Sequence, residues 1–570
     1  MKRRIKKQSI SFKVSAIATL MVLLAVAGCK KYLDVNRNLN DPTTVPVSTL
    51  LAAMEQRIGS SFALGTTLGN GLGVYTHQLM QYGGFNRYGI GGSDLDGTWS
   101  GLYTTLTNLD VIINQGTAEN RFVYSGVAKI LKAYTVSMMV DIWGDIPYDE
   151  FDKFKDGVKQ PHFDDDATIY PKLITLLDEG IADINNTTPN PTKPSSDDFV
   201  YGGNTTKWIK AANTIKLKLY TQMRLVKDVK TQVTALLADP SKLINAQNES
   251  FLFPFGPYTS TDDRYPGYGD YSAAQRGGQL PSHWMYEIMK GYNPNIYSGI
   301  VDPRIPYYIY NQKSASASPE NCTDYRDGGF ITLVFGSNSP CVGGSNSNTY
   351  SLLGIYPIGG RYDDGTGKSI SASSGALNSS NAGTGAAPQR ALTYADRLYL
   401  EAELIHAGLA PGDERAVFSK ALDASFDQVD YVITTYIKPS QSVPVLATQA
   451  ATANYKSNVL TAFDAATPEK KLEHIMTQKW LSRLGNSVDN YTDYRRTKYP
   501  VLFNPAPANG GTTTSVTVPG GSGGIGAGVI SVSNNTPYPL SLPWSQSEIE
   551  LNSNAPAQKI LDQYKVFWQP

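Results

Sequence analysis

Helical periodicity in two groups of segments, with a long stretch that lacks it between them, most limits the folds open to this chain. Apolar residues recur every three or four positions in each group, as in helices that bury one face. Ser48 is predicted to cap the first helix, which carries Leu51, Met54 and Ile58 at near-helical spacing. Further helices are predicted at 72–81, 99–113, 123–143, 169–184 and 208–226, and again at 392–407, 414–426 and 468–484. Short turns join them in pairs, a pattern typical of helix–turn–helix repeats, although no strict period is present.

The stretch between the two groups, 248–390, is rich in aromatic residues, glycine, proline, serine and asparagine. Long loops are expected there at 312–350 and 359–387, and a further loop at 506–535. Structureless loops of this length are usually functional or disordered. The predicted fold is therefore mainly α, with a helical scaffold at 48–247 and 391–500, a loop-rich part at 248–390 and an irregular C-terminal part at 501–570.

The charge of the chain is balanced, since 50 Lys and Arg residues stand against 50 Asp and Glu residues. A protein that neutralises a phosphate backbone needs a basic face, so no nucleic-acid partner is predicted. The chain has 35 tyrosines, 51 glycines and 33 prolines. This composition indicates long ordered loops faced with aromatic rings.

The N-terminus has the order of a secretory signal, with basic residues at 2–7, an apolar run at 14–27 and small residues before Cys29. The run is shorter than the roughly 20 residues that span a bilayer. Small residues before a cysteine resemble the bacterial lipobox, in which the cysteine is acylated and becomes the first mature residue. We therefore predict a signal peptide at 1–28, lipidation of Cys29 and a tether at 29–47. An ordinary signal peptide with a chance cysteine is the alternative.

Two further cysteines, Cys322 and Cys341, lie in the loop-rich part. A location outside the cytoplasm permits disulfides, and a bridge here would stabilise the fold by about 3 kcal/mol in the entropy model. The sequence does not give the distance between the two Cβ atoms. A disulfide and two free thiols therefore both stay open.

Carboxylates and histidines in this chain match no motif for catalysis or metal binding. Glu401 and Glu403 are two positions apart on a predicted helix, so they do not face each other as a glycosidase pair must. The five histidines form no His-Glu-x-x-His pattern. The acidic run 164–166 suits the N-terminus of the following helix better than a metal site. We predict no catalytic residue, metal or cofactor, and we expect Arg495 and Arg496 to pair with carboxylates. A secreted glycan hydrolase with an unrecognised site and a structural surface protein are the alternatives.

Five stretches in this order resemble the SusD/RagB-like family of outer-membrane nutrient-binding lipoproteins, and its SusD-like branch in particular. They are the Cys29 lipobox, the 32–42 segment, Asp-Ile-Trp-Gly-Asp-Ile-Pro-Tyr at 141–148, the 394–408 helix, and Ile-Met-Thr-Gln-Lys-Trp at 475–480 with the 494–500 segment that follows. The resemblance implies tetratricopeptide-like helix pairs with a large irregular subdomain, in one SusD-like domain at 48–570. It also implies a lipid-anchored, surface-exposed protein of the outer membrane. Such a protein captures oligosaccharides, or peptides in some members, and delivers them to a SusC-like TonB-dependent transporter.

Capture of a sugar needs aromatic rings against its flat apolar faces and polar side chains for its hydroxyls. Rings suit this task because they lose little conformational entropy on binding. In the family, the region before and at the start of the Trp99 helix contributes to the ligand face. The candidates from this region are Tyr82, Phe85, Arg87, Tyr88, Asp94, Asp96 and Trp99. The loop-rich part adds Tyr265, Tyr268, Trp284 and Tyr292.

Core packing is the alternative interpretation for each of these aromatic residues. It is held equal to ligand binding for Trp99, which begins an apolar stripe, and it is preferred for Trp143 and Trp480. We expect that replacing Trp99 and Tyr88 with alanine weakens ligand binding without unfolding the protein.

Overall fold

The computed structural model of the chain describes residues 45–81, 87–271, 278–317, 323–338, 348–370, 382–504, 514–517, 529–534 and 536–570. The chain divides into Met1–Pro46 and Val47–Pro570, and all the elements named below belong to the second unit. The signal peptide, Cys29, Tyr82, Phe85, Cys322 and Cys341 lie outside the described residues, so their assignments stay predictions. Within the described ranges, no helix combines the length and the apolar character needed to cross a membrane.

Seven helices are described in the N-terminal part of this unit. They are α1 (Val47–Ser61), α2 (Thr67–Tyr75), α3 (Asp96–Ala118), α4 (Phe122–Trp143), α5 (Asp166–Ile184), α6 (Thr205–Met223) and α7 (Lys230–Leu237). α4 is buried on nearly all sides and packs against both α3 and α5. Its close approach to α5 depends on two glycines, because a Cβ on Gly126 would lie 2.6 Å from the carbonyl oxygen of Gly180. The central helix is therefore fixed by small residues at its crossing point.

The elements described in the loop-rich part are short. Its helices are α8 (His283–Lys290), α9 (Ile305–Tyr308) and α10 (Ile355–Ile358). The strands of the whole unit are β1 (Leu79–Met80), β2 (Phe251–Phe253), β3 (Leu280–Pro281), β4 (Ile309–Tyr310), β5 (Tyr325–Asp327), β6 (Phe330–Thr332), β7 (Leu352–Leu353), β8 (Gln389–Leu392), β9 (Thr514–Thr517) and β10 (Val529–Val532). They form five antiparallel pairs, β1–β3, β2–β8, β4–β7, β5–β6 and β9–β10. Because β2 pairs with β8, the loop-rich part leaves and rejoins the helices at one place.

A second group of helices follows β8. It comprises α11 (Tyr394–His406), α12 (Glu414–Val432), α13 (Ala450–Asp464), α14 (Pro468–Ser482), α15 (Ser487–Thr497) and the short C-terminal α16 (Gln546–Leu551). Thr393 and Asp396 form a capping box that begins α11. Gly408, with φ of +69°, takes the chain out of α11 and into the short turn before α12. α11 packs against both α12 and α14.

Buried charges join α11 to α14 and α15. The Glu403 carboxylate of α11 accepts hydrogen bonds from Arg496 at 3.0 Å and from Arg224 at 2.9 Å. Asp493 accepts from Arg496 at 2.8 Å and contacts Lys479 at 2.8 Å. Burial alone would raise the pKa of Glu403, but the surrounding cations Arg496, Arg224 and Lys479 hold that pKa well below its usual range. These residues form the Glu403 cluster, and the pairing expected for Arg496 is confirmed.

The expectation for Arg495 is wrong. Its guanidinium group donates to the carbonyl oxygen of Leu540 at 2.7 Å, and it lies 3.8 Å from the ring centroid of Tyr491 and 4.8 Å from that of Trp568. A planar guanidinium group can stack on rings as readily as it pairs with acids. Arg495 therefore fastens the C-terminal segment to α15.

The mainly α fold is confirmed, but several boundaries differ from the predictions. α1 begins at Val47, so Ser48 lies inside the helix rather than at its cap. The helix predicted at 72–81 ends at Tyr75, because the chain turns at His77, with φ of +55°, and enters β1. The C-terminal part contains α16, and the 506–535 region contains the β9–β10 pair. Helices α7, α13 and α15 have no counterpart among the predictions.

Candidate ligand-binding cleft

An open cleft of about 480 Å³ lies where three segments that are distant in sequence meet. Its aromatic walls come from Tyr88, from Tyr494 in the last turn of α15, from Phe503 and from Tyr538. The remaining described residues that line it are Leu502, Asn504, Asn534, Thr536 and Pro537. We call this the aromatic cleft. Rings and neutral polar groups thus face the same space.

Tyr88 and Tyr538 are held at the cleft by contacts between rings. The Tyr538 ring lies 4.8 Å from that of Tyr494 and 5.1 Å from that of Tyr88, measured between centroids. Tyr88 has φ of +59°, and its hydroxyl lies 3.1 Å from Nε2 of His77. The left-handed backbone and this hydrogen bond fix the direction of the Tyr88 ring.

The described residues that line the cleft carry no formal charge over the ordinary pH range. Burial raises the pKa of Tyr88, Tyr494 and Tyr538, so their phenols stay protonated. Burial, with a smaller contribution from His283, lowers the pKa of His77 to about 3, so the imidazole behind Tyr88 stays uncharged. The arrangement can therefore hold a neutral ligand with hydroxyl groups and apolar faces, through hydrogen bonds and ring contacts.

Two other residues predicted to bind ligand lie beside the aromatic cleft. The indole of Trp284 lies 5.7 Å from the Phe503 ring, and its Nε1 donates to the carbonyl oxygen of Val501 at 2.9 Å. Arg87 donates to the carbonyl oxygens of Ser533 at 3.1 Å and Ser337 at 2.9 Å. Both side chains join segments that form or flank the cleft walls.

Three further predicted residues lie at the N-terminal end of α3 and contact protein groups. Asp94 accepts from the N–H of Gly91 at 2.8 Å. Asp96 accepts from the Ser545 hydroxyl at 2.6 Å, which attaches the segment before α16. Trp99 is only 4% exposed, and its indole lies 5.1 Å from that of Trp143, which is itself buried in the core as predicted. Trp99 is thus mainly a core residue whose edge reaches a separate groove.

Among the candidates that the structure describes, Tyr265, Tyr268 and Tyr292 do not line the aromatic cleft. Tyr265 and Tyr268 are each 1% exposed, and their hydroxyls donate to Oε1 of Gln389 at 2.9 Å and to the carbonyl oxygen of Gly383 at 3.0 Å. Tyr292 is 38% exposed and donates to Asp327 at 3.0 Å. Tyr265 and Tyr268 are therefore packed in the core.

The sequence predictions missed Tyr494, Phe503, Asn534 and Tyr538. Tyr494 lies in a stretch that carries the family resemblance, but nothing in that stretch marks it as a ligand residue. The other three lie in short segments without periodicity, where no local signal separates a wall of a cleft from an ordinary loop. A cluster of Tyr, Phe and Asn near residue 500 and again near 535 is the one available hint.

A match to a family model shows which known proteins this chain is related to. The model, described as starch-binding and associating with the outer membrane, matches residues 39–520. The chain belongs to this SusD-like family. The family resemblance stated from the sequence is thereby confirmed.

Solved structures show the same SusD-like fold. A chitin-binding protein is 19% identical, with 89% of this chain and 95% of that chain covered and a TM-score of 0.63. A SusD/RagB family protein from Bacteroides thetaiotaomicron is 19% identical, with coverage of 92% and 99% and a TM-score of 0.64. A SusD homologue from Bacteroides fragilis is 17% identical, with the same coverage and TM-score. No curated protein matches the chain.

The acidic run of this SusD-like chain serves its helices. Asp165 caps α5 by accepting from the N–H of Ala167 at 2.8 Å, and Asp145 accepts from the N–H of Asp166 at 2.9 Å. Asp145, Asp165 and Asp166 lie close enough together to hold an ion, but backbone N–H groups already engage them. The interpretation as a helix N-terminus is confirmed for Asp165.

Proposed function

We propose that this SusD-like protein is a cell-surface lipoprotein that captures oligosaccharides in the aromatic cleft and delivers them to a SusC-like TonB-dependent transporter. The observation that carries the proposal is the convergence of Tyr88, Tyr494, Phe503 and Tyr538 on one open space with amide and hydroxyl side chains at its edge. Aromatic rings suit the C–H faces of a sugar ring, and the polar groups suit its hydroxyls. The family description, starch-binding and associating with the outer membrane, supports both the ligand class and the location.

The charge of the cleft favours a neutral sugar over a charged peptide. The described residues that line it carry no formal charge, so they offer no ion pair to a peptide terminus or an acidic side chain. Rings held in place and neutral hydrogen-bonding groups bind a neutral, hydroxyl-rich chain with little loss of entropy. A peptide ligand remains the alternative that a binding screen decides.

Binding without catalysis is proposed because the most suggestive carboxylates are engaged elsewhere. Glu401 pairs with Arg397 at 3.0 Å, and Glu403 is enclosed by the cations of its cluster. A glycosidase needs two carboxyl groups that flank the scissile bond. Incubation of the purified protein with a bound oligosaccharide is expected to release no product, and product formation would contradict the proposal.

The membrane and transporter steps are proposed from Cys29 and the family. Replacing Cys29 with serine is expected to release the protein from the membrane fraction while glycan binding is kept. Deletion of the gene is expected to slow uptake of the glycan through a TonB-dependent transporter, and the lipidated chain is expected to co-purify with that transporter. Unchanged uptake in the deletion strain would contradict the delivery role.

Affinity electrophoresis tests the ligand and the cleft together. The full-length protein is run in gels that contain soluble starch or soluble chitin oligosaccharides, and a library of neutral peptides is screened by calorimetry. Wild-type protein is expected to be retarded by at least one glycan, and Tyr494→Ala is expected to lose this retardation. Tyr258→Ala is the matched control, since Tyr258 is exposed and lies outside the cleft. Binding of peptides alone would favour the alternative ligand.

A further inference from the structure

A second groove begins at the edge of Trp99, away from the lining of the aromatic cleft. Two open cavities of about 360 and 430 Å³ share Trp99, Ser100, Pro161 and Glu548, so they form one continuous depression. We call it the Trp99 groove. None of its described lining residues lines the aromatic cleft.

One wall of the Trp99 groove is the exposed face of α3. Ser100, Thr104 and Thr107 follow one another at helical spacing, so their hydroxyls lie on one face. Each hydroxyl donates its proton to its own helix, for example Thr104 to the carbonyl oxygen of Ser100 at 2.8 Å and Thr107 to that of Tyr103 at 3.1 Å. Their oxygen lone pairs are therefore left as acceptors for a ligand.

The opposite side adds a carboxylate and an aromatic floor. Glu548 of α16 accepts from Nε1 of Trp99 at 3.3 Å and from Asn552 at 2.8 Å, and a carboxylate has room for more than two donors. Tyr103 and Phe151 are half-buried, with ring centroids 5.7 Å apart. Rings thus lie below a rim that is rich in hydrogen-bond acceptors.

This chemistry selects a ligand that donates many hydrogen bonds and has apolar faces. A sugar unit meets both needs, because each hydroxyl can donate to a Ser, Thr or carboxylate oxygen while its C–H face lies on a ring. A peptide strand presents as many acceptors as donors. An acceptor-rich rim leaves most of those acceptors unmatched, since Lys159 is the one cation among the described lining residues.

The two sites are close neighbours along the chain. Tyr538 lines the aromatic cleft and Glu548 lines the Trp99 groove, and ten positions separate them in sequence. Ten residues reach at most about 35 Å when fully extended. The separation of the two sites is therefore within the length of a long polymer, and a second contact on the same molecule raises affinity through effective concentration.

We propose that the Trp99 groove is a second carbohydrate subsite that makes the protein prefer long glycan chains to short ones. This rests on the proposed function, because the cleft supplies the first contact. Short oligosaccharides occupy the aromatic cleft alone. Long chains occupy the cleft and the groove together.

The test compares short and long ligands on the full-length protein by calorimetry. The probes are maltotriose against soluble amylose, and chitotriose against chitohexaose. Thr104→Arg places a long side chain in the groove from an exposed position, and Thr107→Arg is a second blocking variant. Asn114→Arg is the matched control, because Asn114 is exposed on the same helix and lies outside the groove. Thermal unfolding checks that each variant folds.

The blocking variants are expected to weaken binding of the long chains by roughly tenfold or more and to leave the short ligands unchanged. The Asn114→Arg variant is expected to match wild type with every probe. Unchanged binding of long and short chains in both blocking variants would overturn the groove and leave the aromatic cleft as the proposed site. Equal loss for long and short chains would also overturn it, since the groove would then be the primary site. A wild-type protein that binds none of the probes would overturn both proposals.

Discussion

The Glu403 cluster and the aromatic cleft are assembled in opposite ways. The cluster takes its side chains from regular helices and from Arg224, which directly follows α6. It closes around the Glu403 carboxylate, at 2.9 and 3.0 Å from its arginine partners. The cleft takes its rings from a loop, from the end of α15 and from irregular segments, and no formal charge lies among its described residues. Removing one buried charge leaves its partners unpaired, whereas removing one ring of the cleft leaves the other rings in place. A single substitution is therefore expected to lower stability more in the cluster than in the cleft.

The largest effect is expected from breaking the Glu403 cluster. Glu403→Gln leaves Arg496, Arg224 and Lys479 buried without their central anion, which is expected to lower the free energy of unfolding by about 3–5 kcal/mol. Denaturant titration measures it. Asp464→Asn removes one partner of an exposed pair with Arg415 and is expected to leave the midpoint close to wild type. Equal denaturation midpoints for the two variants would show that the Glu403 cluster stabilises the fold no more than an exposed ion pair does.

The stability of a Trp99 variant tests whether this residue belongs to the helical core. Because the ring is 4% exposed and packs on Trp143, Trp99→Ala is expected to lower the free energy of unfolding by about 3–5 kcal/mol. This differs from the sequence-based expectation that alanine here leaves the fold intact. Phe154→Ala is the control, since Phe154 is 68% exposed. A Trp99→Ala variant as stable as wild type would place Trp99 outside the core.

Tyr88 lines the aromatic cleft and also bonds to the buried His77. Two substitutions separate these roles. Tyr88→Phe keeps the ring and removes the hydrogen bond to His77, with an expected loss of about 1 kcal/mol in stability and little change in glycan affinity. Tyr88→Ala removes the ring from the cleft and is expected to lower both stability and affinity. Calorimetric titration and thermal unfolding measure the two quantities. If Tyr88→Phe loses as much affinity as Tyr88→Ala, the hydroxyl rather than the ring carries recognition.

The dependence of stability on pH has opposite signs at two carboxyl groups. Glu403 has a lowered pKa, so its stabilisation is present above its unfolded pKa and is lost as the pH falls below about 4.5. Burial raises the pKa of Asp166 to about 7, so its ionisation opposes folding as the pH rises from about 4 to 7. Asp166→Asn is therefore expected to gain roughly 1–3 kcal/mol relative to wild type between pH 5 and pH 8. A constant difference across that range would contradict the assignment.

Local pattern was enough to predict most of the long helices, although α7, α13 and α15 were missed. The helix predicted at 169–184 is Asp166–Ile184, because its buried residues Ile169, Leu173, Leu177 and Ile184 recur at helical spacing. The helix predicted at 123–143 is Phe122–Trp143. The 72–81 prediction failed at His77, where a left-handed backbone residue breaks an otherwise helical pattern. Such a turn depends on tertiary contacts that local pattern does not report.

The cleft could not be predicted in the same way. Tyr88, Tyr494 and Tyr538 meet only after the chain has folded, and nothing in their neighbours marks that meeting. Asp96 shows the same difficulty in reverse, since its partner Ser545 is 449 positions away. Asp96 was predicted from the sequence to bind a sugar, but its carboxylate holds the C-terminal segment instead.

The most direct test of the account is a calorimetric titration of the Tyr494→Ala/Phe503→Ala double variant beside wild type, with chitohexaose and maltoheptaose. The account predicts that wild type binds at least one of them and that the double variant binds it at least about tenfold more weakly, which corresponds to about 1.4 kcal/mol. Thermal unfolding confirms that both proteins are folded under the conditions of the titration. Equal affinity of the two folded proteins would contradict the claim that the aromatic cleft holds the glycan.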